Sequence, residues 1–204
     1  MTKYVGLIGH PLGHSVSPPM QQAAFDHYKL DCRYELWETE PSELGNVLER
    51  LRQPSTLGAN VTVPHKEAVV PLMDELDDLA LEIGAVNTIV NRSGRLVGYN
   101  TDAGGFLQAL RQEGGFDPEG KRVVLLGAGG VARAVSFALA RAGAKSLVIT
   151  DIIAGRAHRL ASDLERSLTR GAGPGARSCI DAKEIKGIAS LERLGAPVPG
   201  IGAV

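Results

Sequence analysis

Val123-Val124-Leu125-Leu126-Gly127-Ala128-Gly129-Gly130-Val131-Ala132 runs from a continuous apolar stretch into a glycine turn, and then into an alanine-rich segment ending near Ala142. Four successive apolar residues have the composition of a parallel strand buried on both faces. The glycines follow the spacing G-x-G-x-x-A. Gly127 permits the tight turn, Gly129 lets the backbone approach a pyrophosphate, and the small Ala132 allows close helix packing. Amides at the start of the following helix, around Ala128, Gly130 and Val131, hold the anion. A second strand is expected over Ser146 to Thr150, with Asp151 at its end and a helix from Ile153 to about Leu168. Taken alone the pattern is a glycine-rich turn; in strand–turn–helix–strand order with a following acid, it predicts a dinucleotide site.

Asp151 is expected to accept hydrogen bonds from the adenosine ribose and to repel a 2′-phosphate, which favours NAD over NADP. Arg156, His158 and Arg159 offset that repulsion if they fold back over the ribose, so NADP stays open. An ordinary helix cap is the plainer role for Asp151.

Upstream, Asn60-Val61-Thr62-Val63-Pro64-His65-Lys66 begins as a β-branched strand that Pro64 stops. Asn60 and Thr62, two apart, are expected on one face. Lys66 is expected at the start of the next helix, where a cation is electrostatically misplaced. A polar pair and an awkward lysine at the carboxyl end of a strand suggest a small polar substrate; a satisfied turn and a solvated charge are the plainer reading. Asn87 is an amide in an otherwise apolar strand. Asp102 is expected to cap a linking helix, where amides also favour an ionised carboxylate able to face Lys66 and relay a proton. Ser15 and Ser17 offer hydroxyls after the first strand, with Ser17-Pro18 expected as N-cap and N1 of a helix to about Tyr28. Local turn chemistry is their alternative role.

Around these stretches the chain alternates strands and helices. Strands are expected at Tyr4 to Gly9 and Cys32 to Thr39, and a hairpin at Val86 to Asn91 with Leu96 to Tyr99. Helices are expected after Glu40 and, on Leu72, Leu76, Leu79 and Ile83, before Gly84. A loop is expected at Gly171 to Gly175 and a short helix within Lys183 to Leu194. The 204 residues carry a formal net charge of −1 with 4% aromatic residues, which leaves no footprint for nucleic acid. No apolar run approaches the roughly 20 residues needed to span a membrane. The start lacks a signal peptide's apolar core. Two cysteines, Cys32 and Cys179, are too few for a disulfide framework and point to the cytoplasm. The histidines show no metal-ligand spacing, so no metal is expected.

In this order the pieces resemble the shikimate dehydrogenase family, including its quinate/shikimate branch. The resemblance covers about residues 4 to 160. It is carried by Gly9-His10-Pro11 with His14-Ser15-Val16-Ser17-Pro18, by Asn60 to Lys66, by Gly84-Ala85-Val86-Asn87-Thr88, by Gly98-Tyr99-Asn100-Thr101-Asp102, and by Gly127 to Ala132. It implies an α/β substrate-binding domain over 1–102, a linking helix and loop over 103–118, and a partial Rossmann domain over 119–204, atypical from about 179. The implied reaction is reversible reduction of 3-dehydroshikimate to shikimate, or of the quinate pair, with a nicotinamide cofactor. Ser15, Ser17, Asn60, Thr62, Lys66, Asn87 and Asp102 would surround the substrate, with Lys66 and Asp102 as the catalytic pair and Asp78 on the nicotinamide side. A non-catalytic shikimate-binding remnant is the alternative, because the family's later Asn-Ala-Thr-Pro stretch and its C-terminal helix are not found. A homodimer is compatible with all of this.

Overall fold

The computed structural model describes residues 1–153, 155–171 and 179–184. Its first part is a six-stranded sheet. In chain order come β1 (Lys3–Gly9), α1 (Ser17–His27), β2 (Cys32–Glu38), α2 (Leu44–Leu51), β3 (Thr56–Val61), β4 (Glu75–Leu76), α3 (Asp78–Ile83), β5 (Thr88–Arg92) and β6 (Arg95–Tyr99). The strands lie in the order β2-β1-β3-β5-β6-β4. β1 pairs in parallel with both β2 and β3, whereas β5 runs antiparallel to β3 and to β6. Helix α4 (Asp102–Gln112) leads to a parallel sheet of β7 (Arg122–Leu126), β8 (Ser146–Asp151) and β9 (Cys179–Glu184), with α5 (Gly130–Arg141) and α6 (Arg156–Gly171) in the crossovers. The arrangement is α/β, as expected.

Helical spacing explains α2. Leu44, Leu48 and Leu51 fall on one face and are all buried against Ile8, Trp37 and Ala59. Each such leucine contributes about 1.5–3 kcal/mol over an exposed one. A second apolar cluster runs from Ile83, Ala85 and Ala103 into Phe137, Leu147, Ile149 and Leu160, so α3 and α4 share a core with α5 and β8.

Several expectations are corrected. Val16, not Ser17, precedes the first helical residue of α1, and the Ser17 amide donates to Ser15 Oγ at 3.2 Å. Residues after Thr62 form successive turns rather than a helix beginning at Lys66. They are anchored by the buried His65, whose Nε2 lies 2.7 Å from the Thr39 carbonyl oxygen. Leu76 sits in β4, and the helix begins only at Asp78, where the Asp77 carboxylate accepts from the Ala80 amide. α6 starts at Arg156, because the Asp151 carboxylate holds the Ile153 amide in a turn. Lys183 and Glu184 belong to β9; the rest of the helix expected to Leu194, and the loop over 172–175, lie outside the described residues.

β7 is not buried on both faces. Val124 is 37% and Leu126 64% exposed, since among the described residues β7 pairs with β8 alone and its helices cover one side. Among the described residues, no helix is long and apolar enough to cross a membrane, and Cys32 is a free thiol.

Candidate active site

Strand direction assembles the site. β1 and β3 are parallel, β5 returns beside β3, and β6 returns beside β5. The ends of β1, β3 and β6 and the start of β5 therefore share one edge, with Asn60 opposite Thr88 and Thr88 opposite Tyr99. β1 lies between β2 and β3, so this edge is a topological switch point, where ligands gather in open α/β sheets. Just past β3 the Thr62 amide donates to the Ile8 carbonyl at 2.8 Å, and the chain turns through Pro64. The Lys66 carbonyl accepts from the Val86 amide at 2.8 Å, which pins the lysine backbone beside Asn87.

From that anchor Lys66 Nζ reaches Asp102 Oδ2 at 2.7 Å. The two side chains are 12% and 26% exposed, so their attraction is less screened than that of a surface pair. Asp102 is free for this contact because Asn100 does the capping expected of it. Asn100 Oδ1 accepts from the amides of Asp102 at 3.1 Å and Ala103 at 3.3 Å. Asp102 is instead the first residue of α4.

Asn87 completes the cluster. Its Nδ2 donates to Asp102 Oδ1 and to Thr101 Oγ1, each at 2.8 Å. Its Oδ1 accepts from the Thr101 amide at 2.9 Å and from the Thr88 hydroxyl at 3.1 Å. A backbone N–H can only donate, so the Thr101 amide fixes which end of the Asn87 amide is oxygen. The direction then propagates. Thr88 must donate to Asn87, Asn60 Nδ2 donates to Thr88 at 3.4 Å, and the Tyr34 hydroxyl donates to Asn60 Oδ1 at 2.8 Å. Burial pushes the Tyr34 phenol up to about 12, which keeps it a donor. A single file of donors thus ends on the Asp102 carboxylate. All four hydrogen-bonding positions of Asn87 are taken by protein groups, whereas Asn60 keeps one N–H and one lone pair.

Ser15, on the loop that leaves β1 at the same edge, and Ser17, the first residue of α1, are both half-buried. Among the described residues, the structure does not bring them into hydrogen-bonding contact with Lys66 or Asp102. Thr62 lines a neighbouring cleft of about 450 Å³ together with Lys66, Gly127, Gly129, Gly130 and Arg156. Ala128 and Val131 belong to the same turn. Gly127 sits at φ +101°, a conformation that favours glycine. A Cβ at Gly127 or Gly129 would meet no protein atom within 4 Å, so the turn faces open space in front of the first amides of α5. That geometry fits a nucleotide phosphate. Asp78 is not brought to this turn; it lines a separate cleft of about 650 Å³ with Leu81, Glu82, Arg133, Arg141 and Asp163. Among the described residues, no group of three or more His, Cys, Asp or Glu side chains is placed to hold a metal ion.

Sequence reasoning missed Tyr34, Thr88, Thr101 and Asn100. Three of them sit beside residues it singled out, within the same short motifs. Tyr34 gave no local signal, because it reaches Asn60 from across β1.

Comparison with known proteins adds four findings. The shikimate dehydrogenase substrate binding domain matches residues 7–89. A protein of Moorella thermoacetica named shikimate dehydrogenase (NADP(+)) is 52% identical over 163 residues, covering 80% of this chain and 55% of its own length. Among solved structures, a shikimate dehydrogenase in complex with NADP+ superposes with a TM-score of 0.78 at 38% identity, covering 89% of this chain and 61% of that one. The quinate dehydrogenase of Corynebacterium glutamicum in complex with NAD also gives 0.78, at 31% identity, covering 93% of this chain and 67% of that one. The chain thus spans little more than half the length of the curated relatives it matches.

The expected preference for NAD is overturned. Curated relatives 45%, 49% and 52% identical over the aligned residues are named for NADP(+). Asp151 Oδ2 accepts from the Ala128 amide and Oδ1 from the Ile153 amide, both at 2.7 Å. Its carboxylate therefore braces the glycine turn, a role that its position along the chain did not reveal.

Proposed function

Because this chain belongs to the shikimate dehydrogenase family, we propose that it catalyses the reversible reduction of 3-dehydroshikimate to shikimate, with NADP+ as oxidant in the reverse direction. The observation that carries this reading is the 2.7 Å contact of Lys66 with Asp102 at the junction of the sheet edge and the glycine-turn cleft. An ammonium and a carboxylate held at one point can grip one hydroxyl from both sides. As the alcohol becomes a carbonyl, Lys66 in its neutral amine form takes up the hydroxyl proton and becomes the ammonium that Asp102 holds as an ion pair. In reduction that ammonium donates toward the carbonyl oxygen and returns the proton, while Asp102 orients the hydroxyl. Asn87 holds the Asp102 carboxylate in place for this exchange. Asn60, Thr62, Ser15 and Ser17 are assigned to the remaining hydroxyls and the ring carboxylate.

The turn over Gly127, Ala128, Gly129, Gly130 and Val131 would hold the pyrophosphate, with Arg156 on the same cleft. Asp151 acts indirectly, by fixing Ala128. When bound, the nicotinamide supplies or accepts the hydride. Quinate is the substrate-level alternative, in keeping with the similarity to a quinate dehydrogenase. The usage of cysteine, with Cys32 free, supports a cytoplasmic setting.

A second reading, a shikimate-binding protein without turnover, is favoured by the open β7 face, with Leu126 64% exposed. One experiment separates the two. Shikimate-dependent formation of NADPH supports the enzyme, and shikimate-dependent thermal stabilisation without NADPH supports the binding protein. Absence of both removes the family's substrate from this chain.

A further inference from the structure

Two adjacent glycines of the turn face different surroundings. A Cβ at Gly129 would meet nothing within 4 Å, whereas a Cβ at Gly130 would lie 2.9 Å from Lys66 Cβ and 3.2 Å from Lys66 Cδ. Real Cβ atoms essentially never approach carbon that closely, so a side chain at 130 forces either the lysine stem or α5 to move. Backbone conformation does not demand the glycine here: residue 130 opens α5 outside the left-handed region, where alanine is the better helix former. The requirement comes from the Lys66 stem lying across the first residue of the helix. That stem ends at Asp102, and it is only 12% exposed.

We propose that Gly130 is a positioning residue for Lys66: its missing side chain is what lets the lysine lie on the first turn of the glycine-turn helix and still reach Asp102. The proposal rests on the reading of Lys66 as the proton-handling group, and adds that the helix facing the nucleotide also holds the lysine. Any shift of α5 is then felt by the Lys66–Asp102 pair, so substrate and nucleotide sites are coupled through one van der Waals contact.

The test compares the unaltered chain, Gly130→Ala and Gly129→Ala, without nucleotide, using acetic anhydride labelling of Lys66 read by mass spectrometry. Labelling of Lys66 relative to Lys3 and Lys29 is expected to rise several-fold in Gly130→Ala and to stay level in Gly129→Ala. Shikimate-dependent stabilisation, measured without nucleotide, is expected to fall only in Gly130→Ala. Equal labelling of Lys66 in all three proteins overturns the proposal. Should the unaltered chain show no response to shikimate, the functional reading fails, while the labelling ratio still decides this one. Should Gly130→Ala not fold, nuclear Overhauser contacts between Gly130 Hα and the Lys66 methylenes in the unaltered protein decide it. Their presence supports the contact and their absence removes it.

Discussion

The six-stranded and three-stranded sheets are built by the same βα alternation, yet they solve burial differently. In the first, β3 is flanked on both edges and packs Ala59 and Val61 into a core that α2 closes with three leucines. In the second, α5 and α6 cover one face, and β7 leaves Val124 and Leu126 in solvent. The Lys66–Asp102–Asn87 cluster stands almost wholly on the first sheet and its exit helix, while the turn that would receive a nucleotide stands on the second. On the proposed function, proton handling would be anchored in closed packing, and hydride transfer would depend on the more open half.

The most direct way to break this division is Lys66→Ala. Removing a positioned acid–base group is expected to lower shikimate oxidation by about 10²–10⁴-fold, with an unchanged circular dichroism spectrum. A loss under tenfold would move the chemistry elsewhere. Next comes Gly127→Ala, which adds a Cβ at φ +101° at a cost of about 1–2 kcal/mol. It should weaken NADP+-dependent stabilisation about tenfold and leave the shikimate response intact; equal loss of both responses would mean that the two halves do not act separately.

Thr88→Val sharpens the comparison inside the first sheet. It removes the hydroxyl between Asn60 and Asn87, and stability in urea should fall by about 1–2 kcal/mol. Thr88→Ser should restore most of that loss. If valine is as stable as threonine, the file of donors contributes nothing.

The smallest effects concern acid, and they set one carboxylate from each half side by side. Hydrogen bonds from Arg52 and then from the Leu96 amide hold Asp74 below the usual carboxylate range. Burial raises Asp163, but hydrogen bonds from Arg133 and Arg166 outweigh it and leave the group lowered. A carboxyl lowered in the folded state stabilises above its unfolded value, near about 4, and that contribution is lost as pH falls through the folded value. Asp74→Asn and Asp163→Asn should each lower the melting temperature slightly at neutral pH and flatten its decline in acid. Curves that stay parallel to the unaltered chain's would rule this out for the residue concerned. Exposure of the Asp74–Arg52 pair keeps its effect small.

Much of this was legible because it is local. The Leu44, Leu48 and Leu51 spacing, the hairpin that ends in Leu96 to Tyr99 and the glycine turn each follow from residues within a few positions. Lys66 and Asp102 could be singled out by type, while their neighbours were misjudged. Asn100 displaced Asp102 as the cap, and the turn anchored by His65 replaced the helix expected at Lys66. Asp151 was assigned from its distance along the chain, yet both of its oxygens are used by backbone amides.

By itself the sequence determined the alternation of strands and helices, the glycine turn and the kinds of groups available, since these depend on periodicity and on backbone stereochemistry. Only the tertiary structure decided that residues 36 positions apart meet at 2.7 Å, that Tyr34 reaches Asn60 from across β1, and that Gly130 makes room for a lysine stem. Such contacts are set by strand order and direction, and no local window of the chain contains that information.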